Sequence, residues 1–256
     1  MKLNYKAYGS GKPVIILHGL FGSLDNWHSF AGRLSEYFKV FVIDQRNHGR
    51  SPHDDEFSYE VMAEDLREFM AEVNLDSATL LGHSMGGKTA MQFAFTYPQK
   101  VDKLFVVDTS LKEDAGRQIG VIDAIKALNM MDLERITDRK QADDQLMPCI
   151  KDLTMRQFLL KNLIRSENGA FEWKVNLNAI SKNYDKILSG VCGIPFHKAS
   201  IFIRGENSNH ILDEDWDEIR KYFPLAELYT IPKAGHWVHT DASELFLKKI
   251  LDFLNT

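Results

Sequence analysis

The chain has 256 residues, of which 44% are hydrophobic and 26% charged, and its formal net charge is −5. This balance is typical of a soluble globular protein, and the negative charge gives no reason to expect a nucleic acid or an anionic membrane as a partner. Cys149 and Cys192 are not in a Cys-x-x-Cys spacing, so neither a disulfide framework nor a zinc site is indicated. The sequence shows no signal peptide and no membrane-spanning stretch, and we expect a cytoplasmic protein.

Apolar strands alternate with helical patterns in the first part of the chain. Residues 3–8 alternate in polarity, as expected of an edge strand. Residues 13–17, 40–43, 78–81 and 104–107 are apolar runs typical of strands buried on both faces of a sheet. Apolar residues at helical spacing separate these four runs. The alternation predicts the α/β class, with a doubly wound and mostly parallel sheet.

The pattern changes between residues 110 and 195. Apolar residues recur at helical spacing over 119–128, over 155–163 and less regularly over 171–188, and no convincing strand is visible. A segment of this length is rarely a plain connection and is often a lid or a binding segment. We therefore predict that residues 110–195 form a helical cap inserted over the sheet. The alternative is that they are further helices of the core.

The last part of the chain returns to the first pattern. Strand character reappears at residues 200–203 and 228–231, and residues 241–254 have the spacing of an amphipathic helix. The predicted core therefore consists of residues 1–109 together with residues 196–256. One α/β domain with one insertion is a common organisation for a chain of this length.

The stretch from Ala78 to Tyr97 has the pattern of a strand, a sharp turn and a helix, with Ser84 at the turn. Glycines stand two residues before and two residues after this serine. A side chain at either position would collide where the backbone crosses itself, and the turn presents the serine hydroxyl above the sheet. A serine in this setting becomes a nucleophile when a base accepts its proton. Ser84 is therefore the predicted catalytic nucleophile.

A base and an acid should accompany the nucleophile at the carboxyl edge of the sheet, where open α/β sheets bind their ligands. His236 follows the last predicted strand and is the predicted base. Asp108 ends the strand after the nucleophile helix, from which it could orient the imidazole through its Nδ1–H group. Glu206 and Asp213, which follow the penultimate strand, are the alternatives for the acid. We favour Asp108.

Two backbone amides are predicted to form an oxyanion hole. Met85 begins a helix, where its N–H group can donate to a developing oxyanion. The loop that starts at His18 should supply the second donor, for which Leu20 is expected and Phe21 is the alternative. Phe21 and Trp237 are also expected to contact the substrate. The sequence predicts no metal site.

The other histidines are expected to have indirect roles or none. His18 is interpreted as a donor that shapes its own loop, and His48, with Arg46, as a support for loops near the site. His83 is expected to point away from the substrate. No catalytic role is expected for three further histidines, His197, His210 and His239.

Several motifs together resemble those of the α/β-hydrolase superfamily, and the resemblance covers nearly the whole chain. The motifs are His18-Gly19-x-x-Gly22, Asp44-x-Arg46-x-His48-Gly49-x-Ser51, Gly82-His83-Ser84-Met85-Gly86-Gly87 and Gly235-His236. A closer resemblance is to the small YbfF-type bacterial esterases and their mitochondrial relatives. As in that subgroup, an asparagine, Asn47, stands between Arg46 and His48, where glycine is usual. The motifs Gly86-Gly87-Lys88 and Gly205-x-Asn207-Ser208 are also similar to that subgroup. In that subgroup the acid of the triad follows the strand after the nucleophile helix and not the penultimate strand, so the resemblance implies Asp108.

The resemblance implies the α/β-hydrolase fold and hydrolysis of carboxylic esters without a cofactor. The expected function is a serine carboxylesterase whose partner is a small-molecule ester with a small or medium acyl chain. Serine at the turn argues against haloalkane dehalogenases and epoxide hydrolases, which use aspartate there. The alternatives are an acyl-CoA thioesterase, a carbon–carbon hydrolase and a catalytically silent ligand-binding module.

Overall fold

The computed structural model describes residues 1–113 and 119–255. In these ranges the strands are β1 (Tyr5–Tyr8), β2 (Pro13–Leu17), β3 (Lys39–Ile43), β4 (Ala78–His83), β5 (Val101–Val107), β6 (Leu163–Arg165), β7 (Phe171–Trp173), β8 (Ser200–Gly205) and β9 (Ala226–Ile231). The α-helices are α1 (His28–Leu34), α2 (Tyr59–Glu72), α3 (Met85–Thr96), α4 (Ile119–Met130), α5 (Arg139–Leu146), α6 (Leu153–Leu160), α7 (Leu177–Lys182), α8 (Tyr184–Leu188), α9 (Trp216–Tyr222), α10 (Val238–Asp241) and α11 (Ser243–Leu254). None of the helices in these ranges is long and apolar enough to cross a membrane.

Seven of the strands form one sheet, in the order β1-β3-β2-β4-β5-β8-β9. β1 pairs antiparallel with β3, and every other neighbouring pair is parallel. The inner strands are the apolar runs of the sequence, and β4 is buried along its whole length. Strands of this kind need helices on both faces of the sheet. The predicted doubly wound, mostly parallel sheet is therefore confirmed.

Helices pack against both faces of the sheet. On one face, α2 and α3 bury Phe69 and Phe93. On the other face, α1 and α11 bury Phe30 and Phe246, whose ring centroids are 5.2 Å apart. Removing such apolar surface from water is the main favourable contribution to folding. Because the parallel strands all end at the same edge, the loops that follow them lie together there and can form one site.

The segment between β5 and β8, which we propose as the cap, differs in part from the sequence prediction. Among its described residues are helices α4 to α8 and an antiparallel hairpin of β6 and β7. The expectation of no strand is wrong, and the helix predicted over 171–188 is instead β7 followed by two short helices. Each strand of the hairpin has three residues and buries one of them, which is too short to show a period. Residues 114–118 of the segment lie outside the described residues.

The two connections between the cap and the core meet beside α3. The N–H group of Val191 donates to the carbonyl of Leu111 at 2.8 Å. Lys88 of α3 is fully buried, and its Nζ donates to the carbonyls of Lys112 at 2.9 Å and Ser189 at 2.8 Å. A buried ammonium group requires such acceptors, because it has lost its contact with water. Lys88 therefore holds both of the chain segments that join the cap to the core.

Candidate active site

Ser84 lies on the sharp turn between β4 and α3. Its φ of 53° and ψ of −121° are rarely adopted by a residue with a side chain. A Cβ atom on Gly82 would lie 2.1 Å from the carbonyl oxygen of Gly86, and one on Gly86 would lie 2.3 Å from that of Leu17. Both distances are shorter than atoms allow, so the two glycines are what permits the backbone to cross itself. The turn holds the serine at the carboxyl end of β4.

Asp108 and His236 form a direct hydrogen bond at the same edge of the sheet. His236 Nδ1 lies 2.7 Å from Asp108 Oδ2. The Asp108 side chain is fully buried directly after β5, and His236 lies in the loop after β9. An ionised carboxylate in this position accepts the proton of Nδ1, which leaves Nε2 as the basic nitrogen of the ring.

The two alternative acids have other partners. Glu206 is exposed, and its Oε2 accepts a hydrogen bond from the N–H group of Lys233 at 2.8 Å. The Asp213 carboxylate is 90% exposed and lies 2.7 Å from Arg204 Nη2. Neither carboxylate is hydrogen-bonded to His236 in the described residues.

Ser208 is a further hydrogen-bond partner of the buried Asp108, a role that was not predicted from the sequence. Its Oγ donates to Asp108 Oδ2 at 2.5 Å, and the N–H group of Gly205 donates to Asp108 Oδ1 at 3.2 Å. In the sequence, Ser208 is recognisable only as part of a motif that resembles the YbfF-type subgroup. β5 and β8 are parallel neighbours, so the loop after β8 lies beside the end of β5. That adjacency is the signal that could have identified Ser208.

Burial shifts the pKa values of the acid and the base in opposite directions. It raises the pKa of Asp108 to about 6, and the hydrogen bond from Ser208 opposes this rise. It lowers the pKa of His236 to about 4. The cause is the same, because removing a group from water favours its neutral form. At neutral pH the acid is therefore ionised and the imidazole is neutral, which is the state that a general base requires.

The backbone amides of Leu20 and Met85 make no hydrogen bond within the described residues. Leu20 lines the cavity beside Ser84, and Met85 is the first residue of α3. In contrast, the amide of Phe21 donates to His48 Nε2 at 3.1 Å. The Phe21 amide therefore already has a partner within the protein, which favours Leu20 over Phe21 as the second donor of the proposed oxyanion hole.

Two buried histidines support the loops of the site. His48 Nδ1 lies 2.9 Å from the carbonyl oxygen of Arg46, and burial lowers the pKa of His48 to about 3, so the ring is neutral. His18 Nδ1 lies 2.8 Å from the carbonyl oxygen of Gly19, while His18 Nε2 accepts a hydrogen bond from the N–H group of Gln45 at 3.0 Å. Both rings bridge loops, as the sequence analysis expected, and the nitrogens that bridge them are not free to act on a substrate.

Three further histidines line the cavity, namely His83, His210 and His239. The ring of His210 stacks on that of His236, with the centroids 4.0 Å apart. His83 Nε2 lies 2.8 Å from the carbonyl oxygen of His236. His83 therefore supports the loop that carries His236, because β4 ends beside that loop. That it points away from the substrate stays a prediction.

Asp108, His210 and His236 also form the one group in the described residues whose ligand atoms could hold a metal ion, since these atoms lie within 4.8 Å of one another. The two imidazole planes are stacked and are inclined by only 30°. The lone pair of an imidazole nitrogen lies in the plane of its ring, so stacked rings direct their lone pairs side by side and not toward one point. The arrangement favours a hydrogen-bonded acid and base over a metal centre.

A cavity of about 410 Å³ opens beside Ser84 and His236. Its roof comes from α4 and α6 of the cap, which contribute Met155 and Phe158 among others. Trp237 also lines the cavity and packs on Phe158, with ring centroids 5.4 Å apart. No hydrogen bond joins Ser84 to His236 in the described residues, and such bonds are often long until a substrate binds. The cavity thus places the predicted nucleophile and the predicted base beneath an apolar roof.

Comparison with known proteins places this geometry in a family. Residues 12–243 match the family described as alpha/beta hydrolase fold. The chain is 39% identical to the sn-1-specific diacylglycerol lipase ABHD11 of Danio rerio, over 96% of this chain and 79% of the relative. It is 32% identical to Esterase YbfF of Escherichia coli over 100% of both chains.

Solved structures agree with the sequence relatives. A structure named marine microorganism esterase superposes with a TM-score of 0.96, at 46% sequence identity, and the match covers 98% of this chain and 99% of the other. A structure of an E-2-(acetamidomethylene)succinate hydrolase, at 21% identity and a TM-score of 0.79, shares the fold. The chain belongs to the α/β-hydrolase fold family.

Proposed function

We propose that the chain is a serine carboxylesterase, which hydrolyses esters of small or medium acyl chains through Ser84, His236 and Asp108. The observation that carries this proposal is the hydrogen bond of 2.7 Å between His236 Nδ1 and the buried Asp108 Oδ2, beside a serine on a strand–turn–helix elbow. The relatives named as an esterase and a lipase support an ester as the substrate.

In the first half of the reaction, Ser84 Oγ attacks the acyl carbonyl carbon while His236 Nε2 takes the hydroxyl proton. The carbonyl oxygen becomes an oxyanion, which accepts hydrogen bonds from the amides of Leu20 and Met85. Asp108 stabilises the imidazolium that forms. The tetrahedral intermediate then collapses, the imidazolium protonates the alkoxy oxygen, and the alcohol leaves an acyl-serine behind.

The second half repeats these steps with water. His236 takes a proton from a water molecule as the water oxygen attacks the acyl carbon. The oxyanion forms again between the same two amides, and its collapse breaks the bond to Ser84 Oγ, which recovers its proton from His236. The products are a carboxylic acid and an alcohol, and the site returns to its starting protonation state.

The cap contributes the binding surface for the acyl chain. Val121, Met155 and Phe158 give the cavity an apolar roof, and Phe21 and Trp237 extend it from the core. Apolar surfaces of this kind bind an acyl chain because both leave water on contact. A diacylglycerol-like ester is a second candidate substrate, which the 39% identity to a diacylglycerol lipase favours.

We expect hydrolysis of p-nitrophenyl esters with an optimum at short or medium acyl length, because the cavity beneath the cap has a volume of only about 410 Å³. Replacing Met155 in the cavity roof with tryptophan should shift this optimum to shorter chains, since the larger ring fills the acyl site. Met147→Trp is the matched control, because Met147 is an exposed methionine of the cap, 47% exposed and outside the cavity lining. The measurement is kcat/KM against acyl length for the three proteins. An equal shift in both variants contradicts the assignment of the acyl site.

Assays with other classes of substrate separate the alternative functions. A thioester hydrolysed much faster than the best oxygen ester indicates an acyl-CoA thioesterase, and preferred cleavage of a β-diketone indicates a carbon–carbon hydrolase. If the folded protein turns over no substrate of any class, the esterase proposal is wrong, and a ligand-binding role remains.

The rate should fall on the acid side of neutrality. Asp108 takes up a proton as the pH falls through about 6, and His236 does so nearer 4. A neutral acid no longer orients the imidazole, and a protonated imidazole accepts no proton from Ser84. Activity is therefore complete at neutral pH and lost as the pH falls through the pKa of Asp108. The test is the pH profile of kcat/KM with a non-titrating ester, and a profile that stays flat below that pKa contradicts the assignment.

Ser208→Ala should move the acid limb of the pH profile, which is the fall of kcat/KM at low pH, to higher pH. The hydroxyl lowers the pKa of Asp108, so its loss raises that pKa further. Removing one hydrogen bond to a charged group should also lower kcat at neutral pH by about tenfold. Ser200→Ala is the control, since the hydroxyl of Ser200 donates to the carbonyl of Lys198 at the opposite end of β8 and makes no contact with Asp108. An unchanged acid limb in Ser208→Ala excludes a role for this hydroxyl in the site.

A further inference from the structure

A buried asparagine of the cap is hydrogen-bonded to the loop that carries the proposed oxyanion donor. Asn162 follows α6 and is 3% exposed. Its Nδ2 donates to the carbonyl oxygen of Phe21 at 2.8 Å, and it also lies 3.3 Å from the carbonyl oxygen of Leu159 in α6. The contact joins residues 141 positions apart in the sequence. The cap therefore reaches into the core next to the reacting centre.

Two peptide groups connect this asparagine to the amide of Leu20. The carbonyl of Phe21 and the N–H group of Gly22 belong to one planar peptide. That N–H group donates to the carbonyl of Gly19 at 2.9 Å, and this carbonyl shares its own peptide plane with the N–H group of Leu20. A hydrogen bond from Asn162 thus constrains the first plane, and the bond from Gly22 to Gly19 passes this constraint to the second plane, whose carbonyl also lies 2.8 Å from His18 Nδ1.

The loop needs such support because its backbone is strained. Phe21 has a φ of 60°, which a residue with a side chain rarely adopts and which persists only when the surroundings hold it. Both polar backbone groups of Phe21 are held, its N–H group by His48 Nε2 at 3.1 Å and its carbonyl by Asn162. The first support comes from the core, and the second comes from the cap.

We propose that Asn162 is a positioning residue for the oxyanion hole, which couples the seating of the cap to the orientation of the Leu20 amide. This inference rests on the proposed esterase function. It requires an effect on the transition state, in which the oxyanion exists, and not on the ester in its ground state. Loss of the bond should therefore lower kcat and leave KM nearly unchanged.

A closely matched control exists in the same cap. Asn183, which follows α7, is also buried, at 7% exposure. Its Nδ2 donates to the carbonyl of Ala179 in α7 at 2.9 Å and to a core carbonyl, that of Asp55, at 2.8 Å. Asp55 is not among the residues that line the cavity. Asn162→Leu and Asn183→Leu remove the same kind of bond and differ in the loop that they release.

The experiment compares these two variants in steady-state ester hydrolysis, in inhibition by an alkyl boronic acid and in amide hydrogen exchange. For Asn162→Leu we expect kcat to fall by roughly tenfold, less than the loss of a whole oxyanion donor, with KM unchanged. The boronic acid, which forms a tetrahedral adduct on Ser84, should bind more weakly by a similar factor. Asn183→Leu should match the wild type in both measurements, even if its thermal stability falls as much.

Hydrogen exchange tests the loop without relying on activity. The Gly22 amide, protected by its bond to Gly19, should exchange at least several-fold faster in Asn162→Leu than in Asn183→Leu. Equal exchange in the two variants, or a loss of kcat that is equal in both, overturns the inference. If the wild type hydrolyses no ester, the proposed function is wrong, and the exchange measurement still decides whether Asn162 holds the loop.

Discussion

Ser84→Ala should lower kcat for p-nitrophenyl esters by about 10⁴-fold or more, because the proposed reaction has no other nucleophile. The alanine fits the same turn, with its φ of 53°, because it keeps the Cβ atom of serine and loses only the hydroxyl, while the glycines that permit the turn are unchanged. We expect the variant to fold and to bind esters with little change in affinity. The comparison is made by single-turnover hydrolysis and by labelling with a fluorophosphonate, which should attach to the wild type and not to Ser84→Ala.

His236→Gln is the companion variant, because removing the base should cost about as much as removing the nucleophile when the two act as a unit. The double variant should therefore be no slower than either single variant. Ser200→Ala, a buried serine remote from the cavity, should keep full labelling. Turnover in Ser84→Ala that is close to the wild-type rate would show that the elbow serine is not the nucleophile.

The features that local sequence predicts well are those determined by neighbouring residues. The strand before Ser84, the glycines around it and the helix after it lie within one short stretch, so their pattern is complete in the sequence. The buried parallel strands are recognisable for the same reason, because each is a continuous apolar run. Their common edge then indicates that Asp108 and His236 can meet, although they lie 128 residues apart.

Contacts between distant segments have no such local signal. Ser208 lies 100 residues from Asp108, and Asn162 lies 141 residues from Phe21. Their side chains are short and polar, and the sequence around them has only the composition of an ordinary loop or helix end. The cap hairpin escapes detection for a different reason, since its strands are shorter than the window that reveals alternation.

The side chain of Asn47 connects a loop of the core to the cap. Its φ is 65°, which asparagine tolerates better than most residues, so the position that is usually glycine accepts it. Unlike glycine, it has a side chain, and its Oδ1 accepts hydrogen bonds from the N–H group of Asp54 at 2.8 Å and from Asn176 Nδ2 in the cap at 3.0 Å. The substitution in the motif therefore adds a contact between the core loop and the cap.

Asp108→Asn should lower kcat by about 10⁴-fold at neutral pH, because the amide no longer stabilises the imidazolium and its NH₂ group favours the wrong tautomer of His236. The side chain keeps its size, and the loss should appear in kcat more than in KM. The buried site holds this residue in a hydrogen-bonded cluster with Ser208 and Gly205, so the variant must be checked for folding by its thermal transition.

Glu206→Gln and Asp213→Asn decide between the three acids considered from the sequence. Both carboxylates are exposed, and each is bonded to a basic or backbone group away from the cavity. Their removal should change kcat by less than about twofold, since exposed ion pairs contribute little. A large loss in either variant, together with an active Asp108→Asn, would move the acid to the loop after β8. The hydrogen bond between Asp108 and His236 would then serve the stability of the loop and not the reaction.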